Sequence, residues 1–181
     1  MKVLGGLGEI GSIFTDSEQL YNTLLMLRYA GTVNREVCHK HSLNHRPDTL
    51  NAAFLLQRLS SFETDVLAPR KRNATYYDKQ ISSLVHTPVP RHGKESHVYY
   101  TYTVRASQRD ELADYLARQG IETKIQHKIL MPEQPAFEKY RTLSYPRALL
   151  YCNQILSLPI GEHLSNQHIE YVVDCINRFY V

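Results

Sequence analysis

Leu20, Leu24, Met26 and Leu27 recur at helical spacing in SEQLYNTLLMLRYAG, and the run stops at Gly31, which predicts a helix over residues 17–31. Just upstream, Ser12 to Phe14 reads as a short strand, and Thr15 with Glu18 three residues on has the form of a capping box. A second helix is expected in DTLNAAFLLQRLSSFE, with Pro47 at its first turn and a broad apolar face of Leu50, Ala53, Phe54 and Leu56 to Leu59. A third starts near Pro69 and runs through RKRNATYYDKQISSL. Between the first two, residues 32–46 show no period, and a loop of that length is often functional.

The second half alternates differently. HVYYTYTVR puts Val98, Tyr100, Tyr102 and Val104 on one face of a strand, after a connector over 85–96. Ser107 with Asp110 caps a helix ending at Gly120, and IETKIQH offers a further strand, so a β-α-β unit forms a small α+β lobe. A short helix over 146–152, a strand in ILSLPI and a last helix from Ser165, with Ile169, Val172, Val173 and Ile176 inward, complete the pattern. The fold class is α/β, with an α+β second part.

With 181 residues, 43% hydrophobic and 22% charged, the chain has ordinary globular composition and room for one core or slightly more. A net charge of +3 is spread among acids, so no nucleic-acid partner is demanded. No apolar run approaches the roughly 18 residues of a membrane span. Cys38, Cys152 and Cys175 are odd in number, without paired spacing or a leader before them, which makes the cytoplasm the expected compartment.

The candidate chemistry starts at the opening, MKVLGGLGEIGSIFTD, where Lys2 precedes a glycine-rich turn. Glycines at 5, 6, 8 and 11 allow positive φ and close approach, more often the business of an interior or a ligand site than of a terminus. Lysine, glycine turn, SIFTD and capped helix in that order, then SLNHRPDTLNAAF, then YTVRASQRDELADYLARQGIETKIQH, then QPAF and ILSLPI, together resemble the DegT/DnrJ/StrS family of pyridoxal-phosphate sugar aminotransferases. Asn44, Arg46, Asp48, Leu50, Ala52 and Ala53 match that family's asparagine-arginine signature, while Ile10, Ser42 and Asn51 depart from it.

The resemblance covers the chain in order and implies the C-terminal half of such an enzyme, starting at or just before its catalytic lysine. The implied fold is the C-terminal part of the aspartate-aminotransferase type. Residues 1–68 would be the tail of the large domain and its bridging helix, and residues 69–181 the small domain. Lys2 would hold pyridoxal 5'-phosphate and shuttle a proton, because that cofactor supplies an electron sink but no base. By the same resemblance Asn44 would reach the cofactor phosphate of the neighbouring subunit in a homodimer, and Arg46 and His127 would serve a nucleotide-linked keto-sugar, with glutamate as amino donor. The complete enzyme would act in surface-polysaccharide or antibiotic-sugar biosynthesis.

Other readings compete. Asn44 and Arg46 can equally cap a helix and form a salt bridge near Pro47. Cys38, His39, His41 and His45 lie within eight residues and offer zinc ligands, though at no closed structural spacing. Arg70, Lys71 and Arg72 read as a solvated helix face, with Tyr76 or Tyr77 inward, rather than a nucleic-acid patch. A truncated remnant that only dimerises or binds a partner shares every motif, and either form is expected to expose apolar surface along SIFT and LLMLRYA.

Overall fold

A computed structural model describes residues 2–90, 97–141 and 144–181. The chain falls into two compact units, Met1–Ser61 and Phe62–Val181.

In the first unit, helix α1 spans Glu18–Arg28. Its N-cap is Ser17, whose Oγ accepts from Leu20 N at 3.2 Å. The expected Thr15 cap fails because Thr15 Oγ1 accepts from Ser17 N instead, a local turn that starts the helix two residues later. Residues 12–14 form no strand, and Phe14 is 92% exposed. A strand needs a neighbour for its backbone groups, and none of the described residues pairs with this segment. The apolar stripe of α1 is present, yet α1 buries no residue.

The expected loop over 32–46 contains a small hairpin, β1 (Thr32–Val33) against β2 (Val37–Cys38). Asn34 and Arg35 turn it with positive φ, a backbone state that asparagine tolerates better than most residues. The hairpin closes on Gly31, whose carbonyl accepts from His39 N and Lys40 N. A Cβ at Gly31 would stand 1.6 Å from Lys40 O, so only glycine fits there. Helix α2 spans Thr49–Ser60 with Asp48 as N-cap, which leaves Pro47 outside the first turn. Its inward residues are Asn51 and Leu55; Leu50, Leu56 and Leu59, expected inward, are exposed.

The second unit opens with a π-helical turn, Phe62–Leu67, that runs into α3 (Ala68–Gln80). A three-stranded antiparallel sheet follows in the order β3 (Val85–His86), β4 (Tyr102–Ala106), β5 (Ile155–Leu158), with Val104 opposite Leu156. Helices α4 (Arg109–Arg118), α5 (Pro146–Cys152) and α6 (Asn166–Phe179) complete the unit. Tyr102, Val104 and Ala106 on one sheet face join Tyr77, Leu112, Leu116, Ile169, Val173 and Ile176 in one core. Tyr77 donates to Pro159 O at 2.7 Å and Tyr102 to Asp78 Oδ1 at 2.6 Å, so both buried phenols are satisfied.

The strands are shorter than their patterns suggest. Tyr99 has φ 46°, which breaks the alternation before β4, so Tyr99 is buried while Val98 and Tyr100 are exposed. The expected strand in IETKIQH is reduced to one bridge, Lys124 opposite Ser157. Ser107 does not cap α4, whose N-cap is Gln108 without a side-chain bond. Ser165 does cap α6, in a capping box with His168, and the inward residues are those the period indicated, joined by Cys175. Arg70 and Arg72 are not merely solvated: Arg70 pairs with Glu162 at 2.7 Å and donates to Tyr99 O, and Arg72 donates to Leu164 O. Residues 91–96 of the expected connector lie outside the described residues.

Candidate functional site

Lys2 is exposed at the head of a turn whose next residues are held down: Val3 and Gly5 are buried. Two side chains of α2 hold that backbone. Arg58 donates through Nε to Leu4 O and through Nη2 to Val3 O, while Asn51 Oδ1 accepts from Leu7 N at 3.0 Å. Gly5 takes φ 72°, and a Cβ there would lie 3.0 Å from Arg58 Nε. The glycine at position 5 therefore lets the turn lie close against α2, with exposed Lys2 at its head.

Asn44 and Arg46 come together after the hairpin. Asn44 bridges to Tyr29 at the end of α1, and Arg46 Nε donates to Asn44 Oδ1 at 3.0 Å. The Arg46 guanidinium lies over the Tyr29 ring at 4.1 Å from its centroid, and Arg35 lies over the same ring at 5.2 Å. Stacking and the bond to Asn44 together hold the arginine beside Tyr29. The expected alternative, capping of α2 by these residues, does not occur, since Asp48 is the N-cap.

His127 belongs to the second unit, on an exposed turn with φ 46°. Buried Cys152 supports that turn, its thiol donating to His127 O at 2.9 Å and Lys128 O at 3.1 Å. The second unit also carries a cleft of about 640 Å³, lined by Thr101, Lys124, Ser157, His163, His168 and Tyr171 among others; His127 is not part of its lining. Among the described residues no three His, Cys, Asp or Glu side chains gather to hold a metal ion, and Cys38 Sγ donates to Lys40 O at 3.4 Å. None of the helices among the described residues is long and apolar enough to cross a membrane.

Sequence reading named Lys2, Asn44, Arg46 and His127 but missed Arg58, Tyr29 and Arg35, and saw Asn51 only as a departure from a motif. The signal for two of them was available: residues 51 and 58 are seven apart and so share one face of a helix.

Residues 1–177 match the family model described as the DegT/DnrJ/EryC1/StrS aminotransferase family. The chain belongs to that family. It is 32% identical to a dTDP-3-amino-3,6-dideoxy-alpha-D-galactopyranose transaminase of Aneurinibacillus thermoaerophilus, over 93% of this chain and 46% of the relative. It is also 32% identical to a pleiotropic regulatory protein of Geobacillus stearothermophilus, over 99% of this chain and 49% of the relative. Among solved structures, that of S. venezuelae DesV in complex with a ketimine intermediate superimposes with a TM-score of 0.84 at 30% identity, over 91% of this chain and 45% of that one. A DegT/DnrJ/EryC1/StrS aminotransferase of Brucella abortus gives 0.84 at 25% identity, over 98% and 48%. The chain thus corresponds to the C-terminal half of these family members and spans about half their length.

Proposed function

We propose that the chain supplies the lysine-bearing turn and the small C-terminal domain of a pyridoxal-phosphate-dependent aminotransferase acting on a nucleotide-linked keto-sugar, with glutamate as amino donor, as a cytoplasmic homodimer. Residues 1–68 are then the tail of the large domain and residues 69–181 the small domain. The observation that carries this reading is that the family match runs from the Lys2 turn to residue 177. The donor set in the first unit suits the cofactor, which needs a primary amine for its aldehyde and hydrogen-bond donors for its phosphate; Lys2, Asn44 and Arg46 are such groups.

When bound, pyridoxal phosphate supplies the electron sink for amino-group transfer. Lys2 Nζ would be the amine that holds it and the base that takes up and returns the proton of the donor's Cα. The Asn44 amide would donate to the cofactor phosphate held in the neighbouring subunit of the proposed homodimer. Arg46, stacked on Tyr29, would offer a planar fork to a diphosphate, and His127 is proposed as a further substrate-binding residue.

The test is to titrate the chain with pyridoxal phosphate, fix attached cofactor with borohydride and map the label by peptide mass. A single saturable label on Lys2 is expected, and Lys2→Ala in a complete enzyme abolishes transamination with the fold intact. Weak labelling spread over many lysines overturns the reading. That result would favour a partner-binding or dimerisation module, which the unburied apolar stripe of α1 supports.

A further inference from the structure

We propose that Arg58 and Asn51 are positioning residues that fix the backbone beside Lys2 and so aim its amine. This rests on the role of Lys2 proposed above, but the arrangement itself stands on geometry. Asn51 and Arg58 sit two turns apart on α2 with buried Leu55 on the same side. Each ties a different part of the Lys2 turn: Arg58 holds the carbonyls of Val3 and Leu4, and Asn51 holds the amide of Leu7.

The bonds bridge more than forty residues of sequence, so they pin the turn to a rigid element rather than merely stabilising it locally. A guanidinium serves two successive carbonyls because its donors lie in one plane, which a single ammonium cannot imitate. Asn51 uses only its oxygen here, so an aspartate keeps the contact and a leucine loses it. The glycine at position 5 completes the device: with φ 72°, a Cβ there would meet Arg58 Nε at 3.0 Å. Holding the carbonyls of Val3 and Leu4 restrains the backbone next to Lys2 and so narrows the positions its side chain can start from. A catalytic amine held this way starts closer to its reacting geometry.

The experiment uses the full chain and four variants, Arg58→Met, Arg58→Lys, Asn51→Leu and Asn51→Asp. Three quantities are read: hydrogen exchange at the Leu7 amide, trace acetylation of Lys2 by acetic anhydride relative to Lys71, and the rate of borohydride-fixed pyridoxal-phosphate attachment at Lys2. Asn51→Leu is expected to speed Leu7 exchange about tenfold and Asn51→Asp to leave it near wild type. Arg58→Met is expected to slow attachment at Lys2 by roughly tenfold to a hundredfold, with Arg58→Lys recovering part of the loss. Leu7 exchange and Lys2 attachment unchanged within about twofold in both Arg58→Met and Asn51→Leu would overturn the proposal. Should Asn51→Leu unfold, the mild pair decides: the clamp requires Leu7 protection kept in Asn51→Asp and Lys2 reactivity altered in Arg58→Lys, and the opposite pattern sinks it. If wild type attaches no cofactor at Lys2, the proposed function fails while Leu7 exchange and acetylation still judge the clamp.

Discussion

Tyr77 and Tyr102 tie the behaviour of the second unit to pH. Burial raises both phenols well above the usual tyrosine range, and at Tyr102 the bond to Asp78 adds to it. An unfolded tyrosine titrates near about 10. Above that pH the unfolded chain binds fewer protons than the folded one, so stability present below about pH 10 is lost as pH rises. Urea midpoints are expected to fall steeply between about pH 9.5 and 11.5, and Tyr77→Phe should start lower, having left Pro159 O without its donor, but decline less steeply. An equal slope in the variant would count against this origin. Arg109 makes a second residue-level case: it is buried, and its Nη1 donates to Cys152 O and Ile155 O. Arg109→Met strands those two carbonyls and is expected to cost about 2–4 kcal/mol, read as a urea-midpoint shift. Sequence showed Arg109 only as part of a motif, because nothing in RD tells a solvated arginine from one bonded to carbonyls over forty residues away.

Elements were legible where one face of a long helix met a core and poorly legible elsewhere. The inward set of α6 followed from its period and Ser165 from its cap, since propensity, pattern and packing agree there. Ser165→Ala is accordingly expected to lower the stability of the second unit by about 1 kcal/mol, measured in denaturant, and no change would mean that the His168 half of the box suffices. The apolar positions of α1 and α2 predicted helices correctly but not their inward faces. Leu50, Leu56 and Leu59 are exposed while a polar residue, Asn51, turns in to bond the Lys2 turn. Strands fared worst, because a single backbone state, φ 46° at Tyr99, ends an alternation that the letters continue. Of the candidate site, the resemblance supplied Lys2, Asn44 and Arg46. The contacts that place them, Tyr29 under Arg46 and Arg58 under the turn, depend on tertiary approach and leave only faint periodic traces.

At the scale of the molecule, the two units differ in how much they bury. Among the described residues the buried apolar side chains are nearly all in Phe62–Val181; Met1–Ser61 contributes only Val3 and Leu55. The first unit instead exposes Ile13, Phe14, Leu20 and Tyr21 beside the exposed leucines of α2. Apolar surface kept in water forgoes about 25 cal/mol per Å², so little opposes the conformational entropy of that unit. Its hairpin and its Lys2 turn are held mainly by hydrogen bonds, each worth only about 1 kcal/mol net. The first unit is therefore expected to open before the second. Brief thermolysin treatment should cut around Ile13–Leu27 and spare a fragment close to residues 62–181, and a dye that reports exposed apolar surface should bind the intact chain more than that fragment. Sedimentation should show association that grows with concentration and disappears with the first unit, since its uncovered faces are what a second copy or the other half of a family member would bury. Uniform cleavage across both units, or one cooperative transition in which Leu7 and the sheet of the second unit lose protection together, would mean that the first unit draws stability from a source other than its own burial.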